Sequence, residues 1–314
     1  MRTVTTYSIL FLLLLSGCIS QRPAAIRTMS DISYPFPVQS VELEDGLRVA
    51  YMDEGKGDQT LLFIHGLGSY APAWKKNIEG LKNEFRCIAI DLPGYGHSSK
   101  GDYPGDMLFY ADVIARLIRK LDLQQVTLVG HSMGGQIAIT TGLGYPELIR
   151  QLVLVAPAGY ETFTNGQRQW FREVLTPDAV RLTTVNQIRE NFATNFYRFP
   201  KDAQFMIDDR IAMRSADDFR WYCDIIPKNV KGMVDHPVYE FLPQLTMPVL
   251  SLFGEYDNLI PNRFLNGGRT AEIARQGSSR IPQSVLVMIE HAGHFVQFEK
   301  SEEVNAAIRG FLKA

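Results

Sequence analysis

The chain has 314 residues, 46% of them hydrophobic, with 34 acidic against 32 basic side chains and a formal net charge of −2. A sequence of this length and balance buries one large core or two modest ones. Its near-neutrality excludes the basic excess of a nucleic-acid binder, and its hydrophobic content excludes a disordered chain.

Arg2 supplies a short positive region, and Ser8 to Leu15 an apolar run far below the roughly 20 residues a membrane-spanning helix needs. That pattern predicts a signal peptide over residues 1–17. Leu15-Ser16-Gly17-Cys18 resembles the bacterial lipoprotein box, which implies cleavage before Cys18 and acylation of its thiol. The expected location is the bacterial cell envelope, lipid-anchored; Ile19 in place of Asp matches outer-membrane sorting if the host is Gram-negative. Residues 18–37, polar and punctuated by proline, read as a tether between lipid and fold. Of the remaining cysteines, Cys87 lies in an apolar strand and Cys223 in a helical region, and both read as free and structural.

From Val38 the order becomes regular. Two alternating runs around Asp45-Gly46 predict a hairpin. Short apolar strands follow at Thr60–Ile64, Cys87–Ile90, Val126–Val129 and Gln151–Ala156, with helical spacing between them at Trp74–Leu81 and Asp106–Leu121. Strands of this kind alternating with helices predict an α/β fold with a mostly parallel central sheet covered on both faces. The rhythm stops at Pro157. Residues 158–242 show amphipathic helical pieces crowded with aromatics, among them Trp170, Phe171, Phe192, Phe196, Tyr197 and Tyr222. Strands return at Pro248–Phe253 and Ser284–Ile289, before a last helix at Glu302–Leu312. The expected organisation is a core over 38–157 and 243–314, interrupted after the sixth strand by a helical cap over 158–242.

Gly130-His131-Ser132-Met133-Gly134 fits G-x-S-x-G between a predicted strand and a predicted helix, the context that gives this motif meaning. Glycines let strand and helix crowd the turn, so Ser132 projects its hydroxyl at a helix N-terminus. A serine hydroxyl needs a base to take its proton and a third group to orient that base. His294 follows the Ser284–Ile289 strand and Asp257 follows the strand ending at Phe253, giving the order Ser…Asp…His, each past a strand end. Glu255 and His291 compete for the acid and the base. His131 adjoins Ser132 but points away on a sharp turn. His291-x-x-His294 lacks further ligands at metal-site spacing, so no metal and no cofactor are expected.

These residues, with His65-Gly66-Leu67-Gly68 and Asp91-Leu-Pro-Gly-Tyr-Gly-His-Ser98, resemble the α/β-hydrolase fold superfamily over nearly all the chain from Val38. The resemblance implies Ser132 as nucleophile, Asp257 as orienting acid and His294 as general base. It implies an oxyanion hole from the backbone N–H groups of Leu67 and Met133, supported by His65 and Gly66. Capped relatives that open epoxides or remove halide carry Asp at the elbow, so serine favours hydrolysis of a carboxylic ester, small or lipid-like, through an acyl-enzyme. Relatives that cleave carbon–carbon bonds in dienone acids, cofactor-free perhydrolases and non-catalytic ligand sensors share the pattern and stay open. A dienone carboxylate calls for a basic cap residue, for which Arg168, Arg172, Arg198, Arg210 and Arg220 are available. The expected partners are a small-molecule ester or lipid substrate and the membrane, through the N-terminal anchor. Oligomeric state is not readable.

Overall fold

A computed structural model of the chain describes residues 24–313. The predicted signal peptide and Cys18 lie outside them. Eight strands form one sheet in the order β1-β2-β4-β3-β5-β6-β7-β8. The antiparallel part is β1 (Val38–Glu42), β2 (Arg48–Glu54) and the β2–β4 pairing. The parallel part holds β4 (Arg86–Ile90), β3 (Thr60–Ile64), β5 (Val126–His131), β6 (Gln151–Val155), β7 (Val249–Gly254) and β8 (Ser284–Ile289). β3 and β5 are buried along their whole length, which is why they read as unbroken apolar runs.

Helices cover both faces. On one side lie α2 (Met107–Lys120) and α3 (Met133–Gly144), the latter buried on almost every side. Asp106 caps α2 by accepting from the Phe109 N–H. On the other side α1 (Lys75–Leu81), α10 (Val296–Glu299) and α11 (Ser301–Lys313) pack on Phe63, Val129, Val153 and Leu252. α9 (Thr270–Ser279), which the sequence reading passed over, packs beside β7 and β8. Between β6 and β7 the chain is helical: α4 (Asn165–Val174), α5 (Pro177–Arg181), α6 (Val185–Thr194), α7 (Gln204–Ala212) and α8 (Phe219–Asp235).

The stretch expected to be a tether is different from residue 24 onward. Met29 and Ile32 are buried in the main core. Ile26 N–H donates to Ser215 Oγ, Met29 N–H to Asp218 Oδ1, and Asp217 N–H to the Arg27 carbonyl. On the core side Tyr34 Oη donates to Asp91 Oδ2 at 2.7 Å, and its ring stacks on His97. Residues 24–37 are therefore a strap across the junction between the inserted helices and the sheet. Two apolar side chains and a tyrosine hydroxyl suffice to dock a segment whose composition otherwise resembles a linker.

Candidate active site

The ends of five strands, β3, β5, β6, β7 and β8, converge on one cavity. Ser132 follows β5 with φ 54° and ψ −118°, a backbone conformation L-residues rarely adopt. Close contacts on either side hold it there. A Cβ at Gly130 would stand 2.2 Å from the Gly134 carbonyl oxygen, and one at Gly134 2.3 Å from that of Ile64. Ser132 N–H donates to the Val155 carbonyl, and its own carbonyl accepts from Ala158 and Gly135. The turn is thus tied to β6 and to the start of the inserted helices.

Asp257 and His294, both buried, meet at 2.8 Å between Oδ2 and Nδ1. The other carboxylate oxygen of Asp257 accepts from the N–H groups of Leu259 (2.7 Å) and Ile260 (3.0 Å). A carboxylate only accepts here, so Nδ1 carries the proton and Nε2 is left as the basic nitrogen. Ser132 and His294 line the same cavity, with no direct hydrogen bond between them among the described residues. The competitors stand elsewhere: Glu255 is exposed, and exposed His291 packs against Tyr197 and Tyr256.

Leu67 and Met133 present free backbone N–H groups among the described residues; Met133 opens α3, where such groups have no intrahelical acceptor. His65, fully buried, donates from Nδ1 to the Gly66 carbonyl and accepts at Nε2 from the Leu92 N–H. Burial lowers its pKa, in keeping with a neutral ring that does both. Gly66 leaves no room for a side chain: a Cβ would lie 3.0 Å from both His131 Nδ1 and Ser132 Cβ.

The cavity measures about 510 Å³ and lies between the strand ends and the inserted helices. Of the aromatics that crowd this insertion, Phe171, Phe192 and Tyr222 line it, and Phe196 instead packs on Phe295 and Phe298. The arginines separate cleanly. Arg172 pairs with Asp235, and exposed Arg198 and Arg220 lie over Tyr197 and Trp221. Arg168 reaches the cavity with Nε bound to the Phe163 carbonyl. Arg210 is buried at 9% exposure against the rings of Phe219 and Tyr222, lines the cavity, and leaves Nη1 without a hydrogen-bond partner. Nothing in the sequence set it apart from its neighbours. Among the described residues no cluster of side chains is arranged to hold a metal ion.

A family model described as the alpha/beta hydrolase fold matches residues 59–207. The chain is 30% identical over 270 residues to the dihydrolipoyllysine-residue acetyltransferase component of an acetoin cleaving system from Pseudomonas putida; that match covers 82% of this chain and 65% of the relative. It is 27% identical to a 2-hydroxy-6-oxononadienedioate/2-hydroxy-6-oxononatrienedioate hydrolase from Burkholderia vietnamiensis, covering 86% of this chain and 93% of that one. It is 26% identical to a pimeloyl-[acyl-carrier protein] methyl ester esterase from Aliivibrio salmonicida, covering 84% and 95%. Among solved structures, a probable hydrolytic enzyme from Pseudomonas aeruginosa superposes with a TM-score of 0.82 at 25% identity, covering 93% of this chain and all of that one.

One neighbour of the cavity gives this site a pH dependence. Tyr70 Oη donates to Asp209 on α7, and burial raises the Asp209 pKa from 3.8 to about 6. The protonated acid is therefore favoured in the folded state. Its contribution to stability is complete below pH 3.8 and is lost as pH rises through about 6. Asp209→Asn is uncharged throughout and still accepts from Tyr70. Thermal unfolding from pH 4 to 8 should show this variant nearly level with the wild type near pH 4, gaining on it between pH 4 and about 6, and holding that margin above.

Proposed function

We propose that this chain, which has the α/β-hydrolase fold, is a serine hydrolase cleaving carboxylic esters through an acyl-enzyme on Ser132. The observation that carries this reading is the Asp257–His294 bond at the end of the cavity that Ser132 borders. His294 Nε2 takes the hydroxyl proton as Ser132 Oγ attacks the ester carbonyl. The Leu67 and Met133 N–H groups receive the oxyanion, each such donor lowering the barrier by about 2.7–4 kcal/mol. The imidazolium then protonates the departing alkoxide, and water, activated by the same nitrogen, releases the acid. An apolar lining with Phe171, Phe192 and Leu175 suits an acyl chain. The esterase relative supports this chemistry.

Arg210 favours a second reading, cleavage of a carbon–carbon bond in a dienone acid on the same three residues. Arg210 is a buried guanidinium that lines the cavity, and pairing with a substrate carboxylate would offset the cost of burying its charge. The Burkholderia vietnamiensis relative is named for such a dioate.

We further propose that acylated Cys18 holds the protein at the cell-envelope membrane. The motif Leu15-Ser16-Gly17-Cys18 at the end of an apolar run supports this.

Three measurements test these readings. Hydrolysis of p-nitrophenyl esters of increasing acyl length should show a chain-length optimum, and Ser132→Ala should cut kcat by roughly 10⁴-fold or more while leaving the thermal transition in place. Wild-type turnover of dienone acids but not of esters would shift the assignment to the second reading. Arg210→Gln should lower kcat/KM for a dienone acid by about 10- to 100-fold, the worth of one charge-assisted bond, with neutral esters little affected; equal losses on both would remove the anion role. Cys18→Ser should abolish incorporation of labelled palmitate and move the protein from the membrane to the soluble fraction.

A further inference from the structure

The histidine beside the nucleophile has a place that its position in the sequence conceals. His131 ends β5, and strand alternation sends its side chain to the same face of the sheet as Val129, where Trp74 and Ala292 pack. The 290–295 loop returns across that face. His131 Nε2 lies 3.0 Å from the carbonyl oxygen of His294, and its ring sits 4.8 Å from the His294 ring and 4.7 Å from that of Phe295. A carbonyl only accepts, so His131 donates from Nε2 and its Nδ1 is bare. That Nδ1 is buried without a partner. Burial and the neighbouring His294 hold the imidazole pKa well below the ordinary histidine value, so the ring is neutral.

The contact is a long-range one. No backbone N–H among the described residues donates to the His294 carbonyl; its donor is a side chain 163 residues earlier in the chain. Asp257 holds the His294 ring at Nδ1, and the peptide between His294 and Phe295 is held on both sides, its carbonyl by His131 and its N–H by the Asn195 carbonyl. Without the His131 donor that peptide is held on one side only and can tilt, which turns the ring about the Asp257 contact and shifts Nε2 relative to Ser132. Resting on His294 being the base, we propose that His131 is a positioning residue that sets the approach of the general base to the nucleophile by donating a hydrogen bond to its backbone.

Variants that move the donor test this. Gln places its amide nitrogen the same number of bonds from Cβ as His Nε2, Asn places it one short, and Leu removes it. An error of about 1 Å at the base costs about 10²-fold, so His131→Asn and His131→Leu should lose about 10- to 100-fold in kcat with KM within about two-fold, and His131→Gln should keep kcat within about three-fold of wild type. A role confined to packing predicts a lowered thermal midpoint with kcat unmoved in all three, and that result overturns the proposal. So does a Gln variant as slow as Asn. Should the Leu variant fail to fold, the Gln and Asn pair decides by the same comparison. His294→Gln and Ser132→Ala in the same assay keep the two readings apart. Activity surviving in either sinks the triad itself, whereas activity lost there and unchanged in the His131 series sinks only the positioning role.

Discussion

Everything at this site depends on a serine held at positive φ. Such a backbone costs of the order of 1–3 kcal/mol and persists only where its surroundings over-determine it. Here they do, through close packing that any side chain at Gly130, Gly134 or Gly135 would break; a Cβ at Gly135 would fall 2.6 Å from Pro157 Cβ. The same packing draws α3 against the end of β3, and β3 lies beside β5 in the sheet. That adjacency sets the loop carrying Leu67 beside the turn that carries Ser132. The strained backbone and the meeting of these two loops follow from one close approach.

The inserted helices are not an independent lid resting on this platform. Glu299 at the end of α10 accepts from the N–H groups of Gly293, Tyr197 and Arg198. Phe295 N–H donates to the Asn195 carbonyl. The loop carrying the imidazole and the segment after α6 therefore share one carboxylate and one strand-like bond. The segment after α6 and the loop that carries His294 are thereby joined into one hydrogen-bonded unit.

The sheet and the order of the three polar residues were legible because buried parallel strands read as unbroken apolar runs, and because each functional residue follows such a run directly. Val126–Val129, Ser284–Ile289 and Pro248–Phe253 mark strands within a residue or two of their observed ends. What stayed hidden was set by contacts far apart in the chain. Eight arginines in the insertion look alike in sequence, and only folding singles out Arg210 by burying it. A sharp turn sets the direction of His131 relative to Ser132, but the loop that returns to it after β8 lies 163 residues away in the chain. Residues 24–37 have the composition of a linker, and two buried side chains, Met29 and Ile32, overrule it. α9 escaped because its glycine and serines weaken a helical pattern that packing against β7 and β8 then supplies.

That strap has a consequence for the order in which the molecule is built. Its partners Ser215 and Asp218 are 189 residues further along the chain. Its hydrogen bonds to Ser215 and Asp218 can form only once the chain as far as the start of α8 is present, whereas its contacts with Asp91 and His97 need only the first third of the chain. The strap thus spans two stages of the chain and ties sheet and insertion together along one seam.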